Sequence, residues 1–439
     1  MSQISIAFIE DRKELIIDVR ENFEPDPALC SIYGVPGPLR KIKEEAYTPK
    51  LISIGPFHYD KDELANMEKQ KIRYKREFVK RIGPEKLQQL TNFIEENEKR
   101  IRNSYEENSE LDRIDFISMI LYDAVFIIEL FLRYYSRESD FLLNRFCLRE
   151  TIWSDLWLLE NQLPFFVLDG LYQLAFPNLC PENGDPSFIS LSCVFFRHCD
   201  RGDIMAVGAE DILHFTDLSR YLMASRYPRK YPEGGERLKD LPCATKLQAS
   251  GVRFNSIRGE LLLDIRFEKK KLLGIPCLKV AELQIPQIEV DKHTESYLRN
   301  VMALEQCHYP GEPVVCNYID LMDKLIDTDK DVKLLAEAGI IYSNLGEGTR
   351  IADMFSDLCL EIRFSESNYS GIIKALRDQL KQLFEMESKN STFGSIGELK
   401  EPLIRKEESS EPPQVRLSMG SRVPRPHQVI SAPHPEVIS

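Results

Sequence analysis

Two apolar runs inside Arg113–Phe176 constrain this chain more than any other feature. One is Phe116–Leu132 and the other is Leu156–Leu168. Both are apolar almost all round, the pattern of a helix buried on most of its sides. Yet acids interrupt them: Asp123 and Glu129 in the first, Asp155 and Glu160 at the second. A buried carboxylate is costly unless it is paired or hydrogen-bonded. The runs therefore demand partners from elsewhere, and the amphipathic stretches around them are the expected source. Arg or Lys residues on other helices are the expected counter-charges for Asp123 and Glu160. The first run has the length of a short membrane span. An acid near its centre would cost about 2.5–3.5 kcal/mol on insertion, so a buried core helix is expected instead.

Around these runs the sequence reads as mainly α (α+β). The expectation is a large helical domain with a small β-rich insertion around 250–290 and a disordered C-terminal tail. Residues 1–29 form an N-terminal extension and 30–387 a single domain. That domain divides into a helical part over 30–224, a linker with short strands over 225–290, and a second helical part over 291–387. Residues 388–439 are rich in Ser, Pro and Glu and bury too little apolar surface to fold. Gly and Pro forbid a helix over much of 30–60, while its apolar residues require cover, so an extended strap over the core is expected. Its corner is Gly55-Pro56-Phe57-His58. A charged helix follows over Asp62–Ile82, with Leu64, Met67, Lys71, Tyr74 and Phe78 on one stripe. A second opens at Pro84, a good first-turn residue. Pro164 should start or kink a helix. The echo Leu273-x-Ile275-Pro276-x-Leu278-x-Val280 and Leu283-x-Ile285-Pro286-x-Ile288-x-Val290 reads as two edge segments, where Pro is tolerated.

A net charge of −13 argues against general nucleic-acid affinity. Lys69–Arg81 and Arg266–Lys271 are basic runs with acids interleaved or adjacent, read as solvated faces. Ten cysteines at irregular spacing, with no CxxC pair and no secretory pattern over Met1–Asp18, suggest thiols in a reducing compartment. Phosphate loops, GxGxxG, HExxH and GxSxG are missing from the sequence. Cys193, His198 and Cys199, with Cys307-His308, lack the tight paired spacing of a zinc site. No cofactor or metal is expected.

Several motifs together carry a resemblance. They are Ile32-Tyr33-Gly34-Val35-Pro36, Ala46-Tyr47-Thr48-Pro49, Ser53-Ile54-Gly55-Pro56-Phe57-His58, and Leu158-Leu159-Glu160-Asn161-Gln162-Leu163-Pro164-Phe165-Phe166. Ala244-Thr245, Ser250-Gly251-Val252, Thr294-Glu295-Ser296, Glu305-Gln306-Cys307 and Asp331–Ile341 complete the set. In this order, over about residues 30–362, they resemble the plant domain-of-unknown-function 247 family, also called uncharacterised protein family 0481. The resemblance implies a largely helical fold and no established enzyme activity. It also implies a recognition role, since some grass members are implicated as pollen-side determinants of self-incompatibility. Members of that family usually end in a basic stretch and a transmembrane helix. No such helix follows Ile362 here, and the β region is longer than the usual pattern.

Two functional readings follow. The first is a non-enzymatic interaction or recognition protein with protein partners, cytoplasmic or peripheral at a membrane. The second is an undescribed enzyme using His58, Glu160 and Glu305. Catalytic carboxylates need a cleft and a second group of opposed pKa. A carboxylate that accepts backbone amides needs neither, and Glu160-Asn161-Gln162 before Pro164 suits that structural role. The same holds for Glu305-Gln306.

Overall fold

Helices carry most of the described residues in the computed structural model, which describes residues 29–107, 109–179, 184–196, 208–224, 241–257, 262–272, 275–345, 348–364, 367 and 369–393. Contacts divide the chain into one unit over 1–387 and another over 388–439. The expectations for the N-terminal extension before 29, most of the 225–242 linker, His198, Cys199 and the tail beyond 393 lie outside the described residues.

The first core is built on α4 (Arg113–Tyr135), capped by Asp112, which accepts the Asp115 amide. Fifteen of its side chains are buried, as the apolar run requires. Before it come the short α1 (Gly37–Ile42), then α2 (Ala65–Ile82) and α3 (Pro84–Arg102). Gly83 separates that pair at φ +86°, a conformation that suits glycine. The stripe Met67, Lys71, Tyr74 and Phe78 of α2 is buried against this core. The helices α5 (Phe146–Asp155), α6 (Phe165–Ala175), α7 (Phe188–Phe196) and α8 (Phe215–Ala224) close it. Phe131 stands at its centre, with the rings of Phe188, Phe195, Phe196 and Phe215 within 6 Å.

The second apolar run is not a helix along its length. It breaks between Asp155, where α5 ends, and Phe165, where α6 begins. The cause is side-chain competition for the backbone. The Gln162 carboxamide donates to the Leu156 and Leu158 carbonyls at 2.8 and 2.7 Å, and Asn161 donates to the Asp155 carbonyl at 2.9 Å. Pro164 then supplies the N-cap of α6.

A second core gathers α9 (Ala244–Ala249), α10 (Thr294–Cys307), α11 (Val314–Leu325), α12 (Asp329–Glu337), α13 (Gly348–Leu358) and α14 (Ser370–Phe393). Between α9 and α10 lies a three-stranded sheet of order β1-β3-β2: β1 (Val252–Ile257) parallel and β2 (Arg266–Leu272) antiparallel to β3 (Ile275–Pro286). The sequence echo is thus not a pair of edge segments. From Ile275 onward the first unit and the start of the second form one central strand, with Pro276 and Pro286 at or next to its two ends, where a missing donor disturbs the ladder least. The rest of the second unit is β4 (Ile288–Val290), parallel to β5 (Ile341–Ser343).

Candidate functional site

The residues singled out in the sequence meet in a clasp between the strap and the α5–α6 turn. Asp155, the last residue of α5, accepts three consecutive strap amides: Lys50 at 3.0 Å, Leu51 at 2.7 Å and Ile52 at 2.9 Å. Burial nevertheless pushes its carboxyl up to about 6, against those three donors. Asn161 accepts the Ile54 amide at 2.6 Å and returns a bond to the Ile52 carbonyl at 3.0 Å. Gln162 uses its remaining oxygen on the Phe215 amide of α8 at 3.0 Å. Asn161 thus replaces ladder partners that the extended strap lacks, while Gln162 ties the turn to α8.

Gly55 sits at φ +72°, and its amide donates to Asp123 at 2.8 Å. A Cβ there would stand 2.5 Å from the Gln162 carbonyl. The other Asp123 oxygen faces the Lys71 ammonium at 2.5 Å, and Lys71 also reaches Glu68 at 2.6 Å. Burial pushes Asp123 up to about 6 despite Lys71, while the two acids hold Lys71 above its ordinary value against burial. Glu129 is likewise paired, with Arg81 at 3.2 Å and Arg133 at 2.8 Å. Phe57 packs edge-on to Tyr105, whose hydroxyl donates to the Gln162 carbonyl at 3.0 Å, and the Pro56 carbonyl accepts the Tyr59 amide.

Glu160 accepts the Val35 amide at 2.7 Å, pairs with Arg40 of α1, and lies 3.2 Å from His58 Nε2. Burial raises its pKa, but His58, Arg40 and that amide outweigh burial and hold it low. The Lys61 ammonium donates to His58 Nδ1 at 2.8 Å. An ammonium cannot accept, so the neutral ring carries its proton on Nε2, toward Glu160. His58 and Glu160 are only 3% and 7% exposed.

Glu305 lies elsewhere. It accepts the Val315 and Cys316 amides at the start of α11 and pairs with Arg220 of α8 at 3.0 Å. Burial raises its pKa in spite of these partners. Gln306 exchanges two bonds with the Arg363 backbone. Neither shares a partner with the clasp, so the three groups of the enzymatic reading are not assembled in one site.

Two concavities adjoin these cores. One, of about 180 Å³, is lined by Tyr134, Arg149, Glu150, Trp153, Phe195, Glu289, Asp291 and His293. Sequence reasoning misses it because α5 and the start of α10 are some 140 residues apart and share no motif. One signal was present: Trp153 and Trp157 are the chain's two tryptophans, one helical turn apart. The other concavity, of about 420 Å³, includes Asp323, Lys324, Asp327 and Asp353. Asp320, Asp323 and Cys359 cluster with ligand atoms within 4.8 Å of one another. The Lys324 ammonium, 2.7 Å from Asp323 and 3.7 Å from Asp320, already supplies a cation there. Cys193 is buried on α7, and His308 Nδ1 bonds the Tyr33 hydroxyl at 2.8 Å.

The basic run Lys69–Arg81 is largely internally paired. Lys71, Arg73, Lys80 and Arg81 all meet acids, and Lys75 lies over the Tyr122 ring at 3.9 Å. Among the described residues, no helix is long and apolar enough to cross a membrane.

Comparison with known proteins finds plant relatives over most of the chain. UPF0481 protein At3g47200 of Arabidopsis thaliana is 25% identical over 387 residues, covering 81% of this chain and 78% of the relative. Putative UPF0481 protein At3g02645 of the same plant is 24% identical over 448 residues, covering 82% and 84%. No solved structure matches the chain. The family model DUF247, described as a plant protein of unknown function, matches residues 32–391, and the chain belongs to that family.

Proposed function

We propose that this chain is a non-enzymatic recognition protein that acts by binding protein partners, in the cytoplasm or peripherally at a membrane. The observation that carries the reading is the closure of the motif residues. His58, Asp123, Asp155, Glu160, Asn161 and Gln162 are buried and occupied by internal partners. A general acid or base must reach the proton it moves within hydrogen-bond distance, directly or through one water. These groups instead hold the strap and the α5–α6 turn.

The surface supports the same reading. Phe141 and Phe146 are 46% and 58% exposed, with the Arg145 guanidinium 4.0 Å over the first ring and Arg149 5.5 Å over the second. Exposed aromatics with Arg are the composition of protein interfaces. Peripheral membrane attachment through Lys69–Arg81 has less support, because most of that charge is already paired.

The test is proximity labelling in plant tissue with the full chain, set against Phe141→Ser/Phe146→Ser. A partner set enriched over the free label and lost in the double variant is the expected result. Turnover by the purified chain that His58→Gln abolishes, with the thermal midpoint retained, would overturn the reading in favour of an enzyme.

A further inference from the structure

We infer that the cavity between α5 and the start of α10 is a binding site for a small, uncharged, planar amide. Three polar atoms of its lining are buried and make no hydrogen bond: Arg149 Nε, Trp153 Nε1 and His293 Nε2, the last 3.7 Å from the Glu150 carboxylate. Buried polar atoms are almost always satisfied, so three on one cavity define a complementary pattern.

Two of the three are donors by chemistry, the guanidinium and the indole N–H. The third follows from its neighbours. Ser154 Oγ donates its single proton to the Glu150 carbonyl at 3.0 Å. At 2.9 Å from His293 Nδ1, the same hydroxyl oxygen must therefore accept. With Nδ1 as the donor to Ser154, a neutral ring presents Nε2 as an acceptor, 3.7 Å from the Glu150 carboxylate, and the two together form an acceptor edge. Two donors and one acceptor match a carbonyl oxygen beside an N–H, which is the edge of an amide.

Charge and shape narrow the class further. Glu289 and Asp291 line the cavity and disfavour an anion. Lys292 already pairs with Glu150, at 2.9 Å, and an ammonium offers no acceptor to the Arg149 and Trp153 donors. The walls contributed by Trp153, Phe195 and Tyr134 suit a flat ligand. The volume of about 180 Å³ is near that of engineered cavities, ~150 Å³, that take up benzene.

This inference goes beyond the recognition reading and stands apart from it. A chain that binds amides but captures no partner would keep one and lose the other. The experiment titrates the full chain with benzamide and follows tryptophan fluorescence. That signal is local, because Trp153 lines the cavity and Trp157 lies 5.5 Å from it, ring to ring. Saturable binding of benzamide in the millimolar range, about −4 kcal/mol, is expected. Benzoate, benzylamine and acetophenone should each bind at least about tenfold more weakly, because each breaks one element of the pattern. N-acetylglutamine methylamide distinguishes the source: tighter binding than benzamide assigns a partner's side chain, weaker binding a free small amide. Trp153→Phe, read through Trp157, and Arg149→Leu should both weaken benzamide at least about tenfold while the thermal midpoint stays within a few degrees. His293→Phe, which removes the acceptor, should weaken benzamide to a similar degree, and if it misfolds the other two variants still decide. Equal or tighter binding of benzoate or benzylamine, or no saturation by benzamide at about 10 mM, would overturn the assignment.

Discussion

Lys71 is fully buried in the middle of a charged helix, a place where an unpaired ammonium could not remain charged. Its partner Asp123 comes from the most apolar helix of the chain. Removing one member of a buried pair strands the other, at a cost of about 3–5 kcal/mol. Lys71→Met should therefore lower unfolding stability by that amount in a denaturant titration. Lys71→Met/Asp123→Leu should recover most of the loss. Full recovery is not expected, because the Gly55 amide loses its acceptor, worth about 1–3 kcal/mol when left buried and unpaired. A double variant as unstable as the single would show that the pair's charge was never the issue. Gly55 makes a sharper case. Alanine there meets both an unfavourable φ and the Gln162 carbonyl at 2.5 Å. Gly55→Ala should cost at least about 2 kcal/mol, against a few tenths at Gly37, which has open space around it.

At the scale of elements, the strap explains why the motifs are spread so far apart in sequence. Residues 29–60 contain little regular secondary structure, and their amides are met by side chains of distant elements. Ser31 and Ile32 donate to the Ser104 carbonyl, and Asp155, Asn161, Glu160 and Asp123 take further strap amides. A chain beginning at residue 29 should retain a cooperative thermal transition. One beginning at residue 61 should lose it, since it bares those acceptors together with the apolar surface under Ile32, Ile52 and Ile54. A sharp near-ultraviolet melt in the shorter chain would make the strap dispensable. The helices were legible because their periodicity is local: Met67, Tyr74 and Phe78 face the core as spaced. The α5–α6 break was legible in part: Pro164 marked the start of α6, but no local signal ends α5 at Asp155, where the side-chain bonds of Asn161 and Gln162 decide. The cavity was illegible, since its pattern depends on which nitrogen of His293 carries a proton.

At the scale of the whole molecule, the region 29–387 has two apolar cores joined by a third, small cluster of Val35, Leu39, Ala46, Tyr47, Leu159, Ala303 and Leu304. This cluster draws on the strap, on the α5–α6 turn and on α10, so each core's boundary lies in the other's support. Asn300 of α10 is the polar centre of the join. It accepts the Leu159 amide at 2.9 Å and donates to the Ala46 carbonyl, also at 2.9 Å. Ser296 adds a second bond to that carbonyl at 2.7 Å, and Tyr309 bonds Asp217 at 2.7 Å. Two cores coupled this way should unfold together. Leu159→Ala removes a fully buried side chain and should cost about 2–5 kcal/mol. Asn300→Ala leaves the buried Leu159 amide unmet, at about 1–3 kcal/mol, while Ser296 still donates to the Ala46 carbonyl. If the join carries the cooperativity, the two changes together should split one calorimetric transition into two. Leu90→Ala, a comparable loss inside the first core, should lower a single transition without splitting it. A double variant at the join that melts in one transition, merely at lower temperature, would mean that the cores are coupled by their sheet and helix contacts and not by this cluster.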